Sequence, residues 1–226
     1  MLFRRSLVSP RFLRCSLSTT TDPQRPLDIV LFLGSSRKKR IGEKVSQHVA
    51  TNIKKRGHSL TVIDPRDPAH DDFFMRLMEK SYFHYKPEEV VPAPLQAAAD
   101  SVQKADAFVV LSPEYNHTIS PALTNTMNYF GGSMYAQKAS GIVTYSAGLW
   151  GGARCGVALR AYLSELGCLP VSATCQVTSA WKPNTFDPES GLLREDHMGT
   201  KLCDRMLDQL TWQANAMRMA RENEGE

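Results

Sequence analysis

Two hydroxyls, Ser35 and Ser36, and a run of cations at residues 37–40 (RKKR) follow the unbroken apolar stretch at residues 29–33 and Gly34. A helical pattern begins near Ile41. A chain that leaves a buried strand through small residues and enters a helix aims unpaired backbone N–H groups and the positive end of the helix dipole at one spot. That chemistry suits an anion. The loop lacks the Gly-x4-Gly-Lys-Ser/Thr pattern and the GxGxxG pattern, so a Walker-held ATP and a Rossmann-held dinucleotide are poor matches. A polar surface loop with solvated lysines is the alternative reading.

Two further stretches have the same character. In SPEYN, Pro113 fixes its own φ and biases Ser112 toward extended backbone. Glu114, Tyr115 and Asn116 can then offer main-chain N–H groups, an aromatic face and an amide to a planar heteroaromatic ligand, although Pro and Asn also suit a plain turn. In SAGLWGG, Gly148, Gly151 and Gly152 allow backbone closeness that a Cβ forbids, and Ser146 adds a hydroxyl. Simple glycine punctuation before a helix is the alternative there. Trp150 is either a lid or a subunit contact.

The elements that must position these stretches follow from periodicity. Continuous apolar runs at residues 29–33 and 106–111 read as strands covered on both faces, and residues 59–64, 139–145 and about 169–177 add three more. Ile41, Val45, Val49 and Ile53 mark one helix, and Leu95, Ala98, Ala99 and Val102 another. Ser120 and Pro121 open a third, with Leu123, Met127 and Phe130 on one face and a stop at Gly131. A fourth runs over residues 153–166. The last carries Leu202, Met206, Leu210 and Met217, with fraying expected after Ala220. Residues 65–92 are irregular, a length that usually marks a functional segment or subunit contact.

Strands alternating with helices imply an α/β fold, a doubly wound five-stranded parallel sheet in the flavodoxin-like order 2-1-3-4-5. Ligands in such sheets sit beyond the strand C-termini at the switch point between strands 1 and 3. All three unusual stretches follow strand C-termini, so they should converge there. The expected layout is a leader at residues 1–25, one domain at 26–222 and a tail at 223–226.

An anion site combined with a flat, polar-edged ring site suits FMN. GSSR, SPEYN and YSAGLWGGAR, in this order and spacing, resemble the NADPH-dependent FMN reductase family, which includes flavin-dependent quinone, chromate and azo reductases. The resemblance covers about residues 27–177. It implies that Ser35 and Arg37, with the backbone around Ile41 and Gly42, hold the FMN phosphate. It also implies that Pro113, Glu114, Tyr115 and Asn116, together with Ser146, Gly148, Gly151 and Gly152, hold the ribityl chain and the isoalloxazine edge. NADPH, or NADH, would be the co-substrate, and a quinone, free flavin or similar small molecule the electron acceptor. No separate catalytic side chain is then required. A homodimer or homotetramer is implied too, with residues 65–92 and the helix from Ser120 to Phe130 as interface candidates. Bacterial members similar to this chain often carry a Ser and then an Asn where Arg40 and Gly42 stand. Two side-chain donors are lost here and one cation is gained. A flavin-loaded redox-sensing regulator or adaptor with little turnover is the other function considered, and a flavodoxin-type carrier fits a neutral chain less well.

Composition narrows the remaining classes. The 226 residues suffice for one well-cored domain. The formal charge of +4 comes from Arg4, Arg5, Arg11 and Arg14, so the chain from Asp22 onward balances to zero (+4 − 4 = 0) and gives no electrostatic support for nucleic-acid binding. No apolar run approaches the ~20 residues of a membrane span. The five cysteines form no CxxC pair and no zinc-ligand spacing, so free thiols are expected. His70, Asp71 and Asp72 are adjacent and do not make a metal site without ligands from elsewhere. The Arg-, Ser- and Thr-rich opening, free of acid before Asp22, fits a mitochondrial transit peptide, which would place the protein in the matrix; a cytoplasmic location is the alternative.

Overall fold

Five strands lie side by side in the computed structural model, which describes residues 25–70 and 72–224. They are β1 (Asp28–Leu33), β2 (Ser59–Ile63), β3 (Ala107–Pro113), β4 (Lys138–Tyr145) and β5 (Cys168–Val177). All neighbours pair in parallel, in the order β2-β1-β3-β4-β5. The register sets Phe32 against Ile63, Leu33 against Leu111 and Pro113 against Tyr145, which brings the C-terminal ends of β1, β3 and β4 to one edge. The expected leader lies outside the described residues except for Arg25, and so do Cys15 and Asp71.

The helices are α1 (Gly42–Lys55), α2 (Ala93–Lys104), α3 (Pro121–Asn128), α4 (Gly132–Tyr135), α5 (Ala153–Glu165) and α6 (Met198–Glu224). Period-two alternation in β1 divides the core. Ile29, Leu31 and Leu33 pack with Val45, Val49 and Ile53 of α1 and with Met206 and Leu210 of α6. Val30 and Phe32 point the other way, toward side chains from α2, α3, α4 and α5. There Phe32 meets Phe108, Phe130 and Tyr135 at ring separations of 6.1, 6.2 and 6.2 Å, within the range of favourable aromatic pairs.

Helix α6 continues through Glu224, past the fraying expected after Ala220. Its extension has an ionic cause. Arg218 and Arg221 reach the buried Asp106 carboxylate at 3.7 and 3.5 Å, and Arg25 joins them at 3.4 Å. Helix α3 ends at Asn128, earlier than its pattern implies, and Gly131 instead caps the short α4. The Phe83 ring presses on Gly131, where a Cβ would stand 2.9 Å from Cδ1.

Residues 65–92 carry three single 3-10 turns, at Pro68–His70, Phe73–Met75 and Tyr82–His84. Asn125 of α3 pins this segment: its amide donates to the carbonyl of Arg76 at 2.8 Å, and its oxygen accepts from the N–H of Met78 at 2.9 Å. Phe74 is buried against Tyr129 at 5.3 Å. Cys155, Cys168, Cys175 and Cys203 are free and buried. Among the described residues no helix is long and apolar enough to cross a membrane.

Candidate functional site

Gly34 fixes the root of the first loop. Its N–H donates to the carbonyl of Leu111 at 2.7 Å, and its own carbonyl accepts the hydroxyl of Ser120. The same hydroxyl oxygen accepts from the N–H of Leu123 at 3.3 Å and so caps α3. Beyond this anchor, a turn at Lys38–Lys39 uses the N–H of Arg40, while the N–H groups of Ser35, Ser36, Arg37, Ile41 and Gly42 have no hydrogen-bonded protein acceptor among the described residues. Ile41 stands at the N-cap of α1 and supplies no side-chain bond. Orphan donors at a helix start with no capping side chain are the groups an anion satisfies.

The floor of this loop is built by Tyr145 and Arg40. Burial pushes the Tyr145 phenol up to about 12, against a smaller downward pull from Ser35 and the nearby guanidiniums. It therefore keeps its proton at neutral pH. Its hydroxyl occupies the space where a residue-42 side chain would project: a Cβ on Gly42 would lie 2.6 Å from Oη. Arg40 is buried, and its guanidinium donates to the carbonyl of Ser35, to Asp64 and, at 3.3 Å, to Glu43.

The second loop begins inside the sheet, because β3 runs through Ser112 and Pro113. The N–H of Glu114 bonds the carbonyl of Tyr145 at 3.2 Å, while Tyr115 and Thr118 exchange bonds of 3.1 and 2.9 Å. The main-chain donors of Glu114 and Tyr115 are thus used within the protein, a correction to the expectation that they face a ligand. Asn116 and His117 carry φ values of 49° and 65°, the left-handed pair that a tight turn of this kind requires. The turn leaves the Tyr115 ring facing the Arg37 guanidinium, 4.5 Å away. The two loops thereby meet.

The Glu114 carboxylate has a role that local sequence does not reveal. It accepts the N–H groups of Arg154 and Cys155 at 3.1 and 3.3 Å, capping α5, whose own N-cap residue Gly152 has no side chain. Glu114→Ala should therefore cost about 1–2 kcal/mol, the usual size of a lost cap, and lower Tm by about 3–6 °C in a thermal melt. An unchanged Tm would show that the cap contributes nothing.

In the third loop, Gly151 and Gly152 adopt φ values of 56° and 82°. They bring the chain down onto the sheet, where a Cβ on Gly152 would stand 2.7 Å from the Cβ of Thr144. Gly148 has no atom within 4 Å of where its Cβ would be, and its carbonyl accepts the N–H of Ser179 at 2.8 Å.

The loops enclose an open cleft of about 370 Å³, a size that a small ligand can fill. Ser35, Arg37 and Ile41 line it from the first loop; Pro113, Glu114, Tyr115 and Asn116 from the second; and Ser146 from the third. Gly42, Gly148, Gly151 and Gly152 are not on its wall. Lys38, Lys39, Arg40 and Tyr145 are. So is Trp181, an isolated aromatic in a polar stretch after β5, where no periodicity marks it. Trp150 is 67 % exposed beside Arg154 and stays off the wall. Among the described residues no group of three or more His, Cys, Asp or Glu is arranged to hold a metal ion.

A model of the family described as NADPH-dependent FMN reductase matches residues 27–182. The chain is 32% identical over 132 residues to a quinone reductase of Escherichia coli K12, a match that spans 57% of this chain and 65% of that protein. It is 36% identical over 63 residues to a probable NADPH:quinone oxidoreductase 1 of Oryza sativa subsp. japonica, spanning 27% of this chain and 32% of that protein. Among solved structures, a flavoenzyme NAD(P)H:(acceptor) oxidoreductase from Paracoccus denitrificans superposes with a TM-score of 0.62 at 16% identity, covering 83% of this chain and 97% of the other. At that identity the likeness is one of fold.

Proposed function

The chain belongs to the NADPH-dependent FMN reductase family, and from that membership we propose that it is an FMN-dependent NAD(P)H oxidoreductase that reduces a quinone, a free flavin or a similar small acceptor. One observation carries the reading. Unpaired N–H groups, those of Ser36 and Arg37 among them, belong to a loop that lines the same cleft as the cations at 37–40, the Tyr115 ring and Ser146. Backbone donors and cations suit a phosphate, and an aromatic face with polar neighbours suits a flat ring, so the residues present fit FMN.

When bound, FMN supplies two-electron transfer between a pyridine nucleotide and the acceptor. The protein binds and orients. Ser35, Arg37 and the backbone at Ile41 and Gly42 take the phosphate, and Pro113, Tyr115, Asn116 and Ser146 border the ring. Glu114 acts through α5, whose N-terminus it caps. Tyr145 holds its proton beneath the loop.

Arg37 is exposed, with its guanidinium 4.5 Å from the Tyr115 ring. Arg37→Ala should weaken FMN binding about tenfold, the scale of one charge-assisted bond, with little change in Tm. Fluorescence titration and a thermal melt check this, and unchanged FMN affinity would contradict the phosphate assignment. NADPH oxidation by the FMN-loaded protein in the presence of a benzoquinone tests the activity itself. A protein that holds FMN and turns over neither substrate would support the regulatory reading instead.

A homodimer is part of the proposal. Leu77, Phe83 and Val90 are 84 %, 59 % and 91 % exposed within the 65–92 segment, a concentration of apolar surface that a second copy would cover. Sedimentation velocity should give a dimer at micromolar concentration, and a monomer would contradict it.

A further inference from the structure

We propose that Arg40 is a positioning residue, locked by a buried ion pair to Asp64, that sets the direction of the backbone N–H groups meeting the phosphate rather than meeting the phosphate itself. The inference rests on reading residues 35–42 as a phosphate cradle.

The Arg40 side chain is 4 % exposed, although it comes from a loop made otherwise of exposed cations. Each of its three nitrogens already donates to a protein oxygen: Nη1 to the carbonyl of Ser35, Nη2 to Asp64, and Nε to Glu43. Asp64 directly follows β2, so the pair ties the first loop to the end of the neighbouring strand. The other oxygen of Asp64 accepts the N–H of Arg66 at 2.9 Å, and the Arg66 guanidinium reaches the carbonyl of Ser36 at 3.2 Å. The Ser35 and Ser36 carbonyls are therefore each clasped by a guanidinium, and both parent residues bond Asp64: Arg40 through its guanidinium and Arg66 through its backbone N–H.

In a trans peptide the C=O and the following N–H point in opposite directions, and no cis bond occurs among the described residues. Holding the Ser35 carbonyl on Arg40 thus turns the N–H of Ser36 to the opposite side. Holding the Ser36 carbonyl on Arg66 does the same for the N–H of Arg37. Those are two of the donors left without a protein acceptor. The carboxylates of Asp64 and Glu43 also offset the charge that Arg40 would otherwise present to an anion.

The two possible roles of Arg40 predict opposite signs for one substitution. If Arg40 were a direct ligand, Asp64→Asn would remove a competing negative charge and tighten anion binding. If Arg40 is a strut, Asp64→Asn loosens it and weakens binding. We would titrate the full chain and the variants Asp64→Asn, Arg40→Lys and Arg66→Gln with FMN and with riboflavin, which lacks the phosphate. Asp64→Asn and Arg40→Lys should each weaken FMN about tenfold, the scale of a charge-assisted bond, and leave riboflavin within about twofold. Arg66→Gln, which leaves the ion pair intact, should show a smaller loss with the same selectivity and keeps the test open if the other variants fold poorly. FMN affinity equal to or tighter than wild type in Asp64→Asn, or equal loss of FMN and riboflavin, would overturn the proposal. A second readout is independent of flavin: inorganic phosphate should shift the amide resonances of Ser36 and Arg37 in the wild type and much less in Arg40→Lys. Equal shifts in both proteins would overturn the strut. Failure of the wild type to bind FMN while these shifts persist would instead count against the flavin reading and uphold the strut.

Discussion

Gly42→Ala is expected to weaken FMN binding about thirtyfold, the equivalent of about 2 kcal/mol, and adding Tyr145→Phe should recover most of that loss. The new Cβ would lie 2.6 Å from the Tyr145 hydroxyl and 3.2 Å from Cζ. Tyr145 cannot swing aside. It is 5 % exposed and pairs with Pro113 and Val177 in the sheet. The loop must therefore move and carry the first N–H groups of α1 with it. Overpacking of this kind typically costs about 1–3 kcal/mol, more than the helix propensity that alanine adds at this position. Deleting the hydroxyl removes the shortest contact and leaves one of 3.2 Å, which a small shift relieves. Titrating FMN into wild type, both single variants and the double variant checks the cycle. If the double variant binds no better than Gly42→Ala, the Tyr145 hydroxyl is not the reason that glycine stands there.

Gly34→Ala is expected to be the most destabilising substitution in the first loop, at about 3 kcal/mol from a total that for domains of this kind is about 5–15 kcal/mol. Its Cβ would stand 2.8 Å from the carbonyl oxygen of Leu111, 2.9 Å from the Cβ of Leu123 and 3.0 Å from the hydroxyl of Ser120. None of these is the free end of a flexible side chain. Leu111 is fixed by pairing with both β1 and β4, and Ser120 is held by its bonds to Gly34 and Leu123. Relief requires β3 and α3 to separate from β1. Thermal denaturation without ligand should show Tm lowered by about 6–12 °C. A variant within about 2 °C of wild type would mean that the neighbouring backbone yields far more readily than its hydrogen bonds imply.

What the sequence made legible is what short-range patterning encodes. The unbroken run at residues 29–33 has no polar face, so it had to be a central strand, and the order β2-β1-β3-β4-β5 follows from five strands alternating with helices and the handedness of their crossovers. Ser120 followed by Pro121 announces a helix start, and the hydroxyl caps α3 as that pair implies. The three loops share an edge because each follows a strand that points there. Pairings between distant residues were not legible. Glu114 reads as a turn residue until α5, which it caps, is folded back beside it. Arg40 reads as a cation gained in the phosphate loop, and nothing local says that Asp64 will draw it inward. Gly42 reads as a missing ligand donor, whereas the Tyr145 hydroxyl fills its space. The last turn of α6 looks polar enough to fray, and its contacts with the distant Asp106, Gln137 and Arg25 explain why it does not.

The most direct test of the central claim, that these three loops form the FMN site of an NAD(P)H-dependent reductase, is an anaerobic absorbance measurement. The protein from Asp22 onward would be incubated with FMN, freed of excess cofactor by gel filtration, and mixed with NADPH in the absence of oxygen. The account predicts a flavin spectrum that stays with the protein, bleaches on adding NADPH and returns on adding a quinone. A protein that leaves the column without flavin, or one whose bound flavin NADPH cannot bleach, would contradict it.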